Sequence, residues 1–288
     1  LRRFDVDGDA MTIIEHARWG RCLQVTSSAA TALVSLDFGP RIVALTLPSS
    51  TTNLLWEEDA AAPAMAGTTR LRAGHRLWTA PETADTWVDD EVASVVDHDG
   101  WIAGPNDGRG LGRALRVLAD GDAFVVQHRV HNATSSTHTA AAWGITMFPA
   151  GAQVEVHLPP HQPWPEAVQA STSLALWPYT RLNDPRLVWG ERCVTVRHAP
   201  AGPSLKVGGW LPAPRLTVVV EAGDQRVVVE KTWGATANAP HADFGCNWEV
   251  YADAGVIEAE SLTPLVALAP GAALLHEERW RLSLLPRT

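Results

Sequence analysis

The chain has 288 residues, a formal charge of −9 from 23 Lys and Arg against 32 Asp and Glu, and 13 Trp beside five Phe and two Tyr. That length can bury a sizeable core. The acidic balance, with lysine only at Lys206 and Lys231 and no basic stripe, excludes a general nucleic-acid binder. Cys22, Cys193 and Cys246 lack the spacing of a disulfide framework or zinc site, and no apolar run reaches transmembrane length.

Residues 1–10 carry acids where a secretory leader needs an apolar core. They read as an extension without fixed structure ahead of Met11, and cytoplasmic residence is the resulting expectation. Beyond them, short apolar runs between Gly, Pro, Asp and Asn turns predict strands over 32–37, 41–47, 115–118, 123–131, 144–148, 153–158, 216–221, 226–231 and 274–284. Several alternate with period two: Phe124, Val126, His128 and Val130 face one way, Val125, Gln127, Arg129 and His131 the other. His128 and His131 therefore do not share a metal. Segments 59–69, 97–113 and 159–170 read as irregular, the last because Pro159, Pro160, Pro163 and Pro165 break any helix or central strand. No long amphipathic helix competes, so the reading is one all-β domain over 11–288.

Three segments carry candidate chemistry. In Gly74–Glu82, His75, Leu77 and Thr79 fall on one strand face and Arg76 and Trp78 on the other. Either Arg76 or His75 donates and Glu82 accepts in a sugar or carboxylate site, or the stretch is a strand end with a local Arg–Glu pair. Trp177 and Tyr179 form an aromatic platform or ordinary core. In the third segment, Asn247, Glu249 and Tyr251 share one face of a strand, and Glu258 and Glu260 share one face of the next. Three acids on one sheet surface among Val, Ile, Leu and Trp need partners or a job. The plain alternative is ion pairing with Arg41, Arg76, Lys206 or Lys231.

Taken in order, Trp19–Leu23, Phe38–Ile42, Asn53–Trp56, Gly74–Glu82, Leu176–Tyr179, Gly245–Tyr251 and Ile257–Leu265 resemble the galactose mutarotase-like (aldose 1-epimerase-like) superfamily in a bacterial branch. The resemblance spans about residues 11–284. It implies a large antiparallel β-supersandwich with a carbohydrate held on one sheet and no cofactor or metal. It also implies a glutamate base acting on the anomeric hydroxyl and a histidine acid at the ring oxygen. Carried over, Glu249 or Glu258 is the base and His75 the acid, with Tyr179 or Lys231 as other possible donors. Arg41, Arg76, Trp78, Glu82, Trp177, Tyr179, Lys206, Lys231, Asn247 and Glu260 shape the pocket. One position departs: where the family places a second histidine on a mid-chain strand, this chain has Ala142-Trp143-Gly144.

The expected activity is a carbohydrate isomerase of aldose 1-epimerase type with a small-molecule ligand and neither nucleic acid nor membrane as partner. Two alternatives stand beside it: a saccharide binder without turnover, and a lyase or cyclase acting on a non-sugar metabolite.

Overall fold

The computed structural model describes residues 3–6, 9–48, 50–59, 70–88 and 93–285. Strands β1 (Arg3–Val6), β2 (Asp9–His16), β3 (Gly20–Thr26), β4 (Thr31–Ser35), β5 (Arg41–Thr46) and β6 (His75–Ala80) build one half of a first sheet. The chain then crosses to a second sheet through β7 (Val95–Val96), β8 (Ile102–Ala103), β9 (Leu111–Asp120) and β10 (Ala123–Asn132). It returns to the first with β11 (His138–Pro149) and alternates between them through β12 (Gln153–His157), β13 (Ser173–Leu176), β14 (Leu187–Trp189), β15 (Cys193–Arg197), β16 (Leu205–Trp210), β17 (Arg215–Ala222) and β18 (Gln225–Trp233). Strands β19 (Trp248–Ala252), β20 (Val256–Leu262) and β21 (Val266–Leu268) complete the first sheet, and β22 (Ala273–Leu284) closes the second. The sheets have twelve and ten strands among the described residues, and all the pairings are antiparallel.

Every strand expected from the apolar runs is present, with ends shifted by a few residues. The run 115–118 is the middle of the ten-residue β9, and 144–148 lies inside the twelve-residue β11. The segment 159–170 contains no strand, in keeping with its prolines. Within 97–113, however, Ile102 and Ala103 pair with β9 and extend the sheet edge. Of 59–69, all but Asp59 lies outside the described residues. Backbone pairing of Arg3–Val6 with Asp9–His16 forms an edge hairpin in the segment where an extension without fixed structure was expected. No helix among the described residues is long and apolar enough to cross a membrane.

The two sheets pack face to face around Leu45, Phe124, Phe148, Val154, Val229, Trp248 and Trp280, all at most 1 % exposed. Each large side chain so buried contributes roughly 1.5–3 kcal/mol. The alternation in β10 decides its orientation: Phe124, Val126, His128 and Val130 are buried, and Val125, Gln127 and Arg129 are only partly so. The centre of the larger sheet differs, because β6 and β20 are buried along their whole length. On its outer face Trp78, Ala141, Trp143, Ile145 and Met147 pack beneath Trp56, Leu71, Trp87 and Leu265.

Candidate active site

Register brings the three glutamates together. In the antiparallel pair β19–β20, Glu249 lies opposite Glu260 and Tyr251 opposite Glu258. On β11 the residues opposite Glu260 and Glu258 are Ile145 and Met147, and Ile145 in turn lies opposite Arg76 on β6. Arg76 lies opposite Arg41 on β5. Directly opposed residues point to the same side, so Arg41, Arg76, Glu249, Glu258 and Glu260 share the outer face of the larger sheet. Gly208, opposite Glu249 on β16, is required there: a Cβ would lie 2.9 Å from Glu249 Cγ and 2.8 Å from Cys246 Sγ.

Two ion-paired groups make up the cluster. Lys206 Nζ sits 2.6 Å from Glu249 Oε2 and 3.0 Å from Glu260 Oε2, and Trp143 Nε1 donates to the same Glu260 oxygen at 2.6 Å. The ammonium also lies over the rings of Trp143 and Trp177, at 4.6 and 4.9 Å, a desolvated cation–π arrangement. Thr180 fixes the strand carrying it, accepting from Lys206 N–H at 2.8 Å and donating to Lys206 O at 2.6 Å. The second group is Arg76, whose guanidinium is 3.3 Å from Glu258 Oε1, donates to Met147 Sδ at 2.8 Å and stacks on Trp78 at 4.3 Å.

Two carboxylates face one ammonium, and this asymmetry sets the protonation. Burial pushes the Glu249 carboxyl well above the ordinary carboxylate range; Lys206 opposes that shift and Glu260 and Asp243 add to it. Burial also works against the charged form of Lys206, but Glu260 and Glu249 outweigh it and hold the ammonium well above its usual range. Glu258 is raised by burial against the pull of Arg76. Glu249 Oε2 is held by Lys206, whereas Glu249 Oε1, Glu260 Oε1, Trp78 Nε1 and Arg76 Nε are buried without hydrogen-bond partners.

At the rim, burial pushes the half-exposed Tyr179 hydroxyl up to about 12, with Lys206, Glu260, Glu82 and Glu249 all within electrostatic reach. Exposed Glu82 accepts from Trp87 Nε1 at 2.9 Å and does not pair with Arg76 as a local salt bridge would. Buried Arg41 donates to the carbonyls of Ala73 and Arg70 at 3.4 Å.

Three expected site residues lie elsewhere. Asn247 precedes β19 and bonds the Leu211 backbone, accepting from its N–H at 3.0 Å and donating to its carbonyl at 2.8 Å. His75, on β6 of the larger sheet, and Lys231, on β18 of the second sheet, both point into the core between the sheets. There His128 Nδ1 faces the His276 carbonyl at 3.2 Å and must donate to it, so neutral His128 accepts at Nε2. His75 Nε2 therefore donates to His128 Nε2 at 2.7 Å, and His75 Nδ1 accepts from Thr146 Oγ1 at 2.9 Å.

Lys231 completes the network, donating to Thr146 Oγ1 at 2.6 Å and Ala259 O at 2.9 Å and lying 3.3 Å from Glu278. Glu278 also accepts from Trp280 Nε1 at 2.5 Å and from Ser261 Oγ, which accepts from His276 Nε2 at 2.7 Å. Burial lowers the His75, His128 and His276 imidazoles below their ordinary value, His276 to about 3. Ligand atoms of His75, His128 and Glu278 lie within 4.8 Å of one another, a grouping able to hold a metal ion. Here the Lys231 ammonium supplies positive charge to that carboxylate. Gly144 makes room for the network, since a Cβ would lie 2.8 Å from Glu278 Oε1 and 2.9 Å from Ser261 Oγ.

The histidine expected to act with the glutamates is thus separated from them by the sheet itself. Trp143 is the residue that sequence reasoning left out of the site. Its signal was present as the departure at Ala142-Trp143-Gly144, and its packing against Lys206 and Glu260 shows that it belongs to the cluster.

No protein-family model matches the chain, and no curated protein matches it. Solved structures do. A protein of Escherichia coli K12 assigned as an aldose 1-epimerase superposes with a TM-score of 0.52 at 16 % identity, covering 96 % of this chain and 100 % of that one. A galactose mutarotase-like protein from Lactobacillus casei ATCC 334 gives 0.55 at 12 % identity, covering 91 % and 100 %. A TPR-domain containing protein from Parabacteroides distasonis ATCC 8503 gives 0.58 at 11 % identity, covering 93 % of this chain and 48 % of that one. With its two large antiparallel sheets and near-complete overlap with these structures, the chain has the galactose mutarotase-like supersandwich fold.

Proposed function

We propose that the outer-face cluster is a saccharide site performing aldose 1-epimerase-type chemistry with carboxyl groups alone, in place of a glutamate and a histidine. The observation that carries this reading is the set of buried atoms without partners: donors on Arg76 and Trp78, acceptors on Glu249 and Glu260. An unpartnered buried polar group costs about 1–3 kcal/mol. A polyhydroxylated ring, which donates and accepts from every hydroxyl, satisfies both kinds at once, and indole faces flank the cluster to cover its C–H surfaces.

In this mechanism Glu258, the least buried of the three acids, takes the proton of the anomeric hydroxyl. The bond from the anomeric carbon to the ring oxygen breaks, and that oxygen takes the proton of Glu249, giving the open aldehyde. Rotation about the bond to C2 and reclosure by the reverse transfers deliver the other anomer. Glu249 and Glu258 are diagonal across the β19–β20 pair, a spacing of roughly 7–8 Å between their Cα atoms, which fits two groups acting on adjacent oxygens. Polarimetry or NMR exchange on freshly dissolved sugars tests the reading: the wild type accelerates anomer exchange and Glu258→Gln abolishes it. A broad sugar panel without acceleration removes it.

A second reading, saccharide binding without turnover, is favoured by the ties that hold Glu260 to Lys206 and Trp143. Calorimetric binding of a sugar whose anomers exchange at the uncatalysed rate selects it.

A further inference from the structure

The turn leading into β19 carries a feature that packing does not require. Asp243, Phe244 and Gly245 all have positive φ, at 50°, 60° and 100°, a region unfavourable for bulky side chains. The turn is braced: Gly245 and Cys246 N–H both donate to Ala242 O at 2.9 Å, and Cys246 Sγ donates to Asp243 O at 3.0 Å. Ala242 and Cys246 on either side are buried, and Phe244 between them is 100 % exposed. Strain of this kind persists where the surroundings enforce it, and it gathers at ligand sites.

Phe244 and Asp243 line a depression of about 130 Å³ together with Ala175, Leu176, Trp177 and Pro178. Trp177 is its shared wall with the outer-face cluster, because the same ring lies 4.9 Å from the ammonium of Lys206, which contacts Glu249 and Glu260. Asp243 is also near enough to Glu249 to disfavour its charged form.

We infer that this depression is a second saccharide subsite, taking the non-reducing ring of a reducing disaccharide between Phe244 and Trp177 while the reducing ring lies against the glutamates. The inference rests on the saccharide reading given above. Its chemistry follows from that reading: epimerisation needs a free hemiacetal, so the ring at the carboxyl groups is the reducing one, and a second ring extends away from it. The aromatic walls suit the apolar face of a pyranose, and the Asp243 carboxylate accepts from its hydroxyls.

The test is calorimetric titration of the wild type, Phe244→Ala and Phe244→Trp with glucose, galactose, maltose, cellobiose and lactose. Because Phe244 is fully exposed, its replacement removes no core packing. Phe244→Ala is expected to weaken disaccharide binding about three- to tenfold with monosaccharide affinity unchanged, and Phe244→Trp to restore it. Equal disaccharide affinity in wild type and Phe244→Ala, an equal loss for monosaccharides, or a wild type that binds monosaccharides alone overturns the subsite and leaves the saccharide reading standing. A wild type that binds no sugar overturns both.

Discussion

Trp143 donates its indole N–H to Glu260 at 2.6 Å, so the strand position at which the family resemblance implies an acid histidine holds an indole tied to one of the glutamates. Trp143→Phe keeps an aromatic ring beside Trp78 and Lys206 and removes the donor together with part of the buried indole. With a buried acceptor deprived of one partner and core volume removed beside it, the variant is expected to lose at least about 1–3 kcal/mol in urea denaturation. An unchanged midpoint would show that Lys206 alone satisfies Glu260.

Lys206 is the sole ammonium between Glu249 and Glu260. Its replacement in Lys206→Met leaves an uncompensated buried charge, so a destabilisation of roughly 3–5 kcal/mol at pH 7 is expected. Adding Glu260→Gln to the same chain removes that charge and recovers a large part of the loss. Denaturant midpoints of the single and double variants check this; a double variant no more stable than the single one contradicts the assigned charge balance.

The proposed chemistry has a definite pH profile. Its acid limb reports protonation of the base Glu258 and its alkaline limb deprotonation of the acid Glu249, both raised by burial and Glu249 well above the ordinary range. Anomer exchange is therefore expected to follow a bell whose acid limb lies above the usual glutamate value. The two limbs belong to the coupled cluster rather than to isolated residues. In Glu249→Gln the catalysed rate is lost at every pH, and a full rate in that variant would remove Glu249 from the acid role.

His75, His128 and His276 are neutral in the fold, with imidazoles lowered by burial, whereas in the unfolded chain they titrate at about 6.5. Below that pH the unfolded state binds more protons, so stability is retained above about pH 6.5 and lost as pH falls toward the folded values, about 3 for His276. Each histidine contributes a slope of up to about 1.4 kcal/mol per pH unit. Raised Glu249 and Glu258 act in the opposite sense, which is why the comparison is between wild type and His128→Gln, where the carboxyl contributions cancel. The variant is expected to show the shallower fall in denaturant midpoint between pH 6.5 and 5; parallel curves would mean that His128 titrates in the fold just as it does in the unfolded chain.

Much of this arrangement is legible in the chain as written. Apolar runs between Gly and Pro turns are enough for an antiparallel β architecture, because an alternating strand can bury one face only against another sheet. Alternation also gives the grouping of Glu249 with Tyr251, of Glu258 with Glu260, and the separation of His75 from Arg76. Asn247 was misplaced because β19 begins one residue later, at Trp248, and the asparagine side chain closes on the Leu211 backbone instead.

The sequence by itself determined which side chains share a face, since the two-residue repeat of an extended backbone is local. Only the tertiary structure decided what each face meets. His75 and Arg76 are adjacent, yet one points into the core against His128 and Trp280 and the other outward to Glu258. That choice depends on the side from which the second sheet packs, and on strands some fifty and two hundred residues away whose register no local pattern encodes.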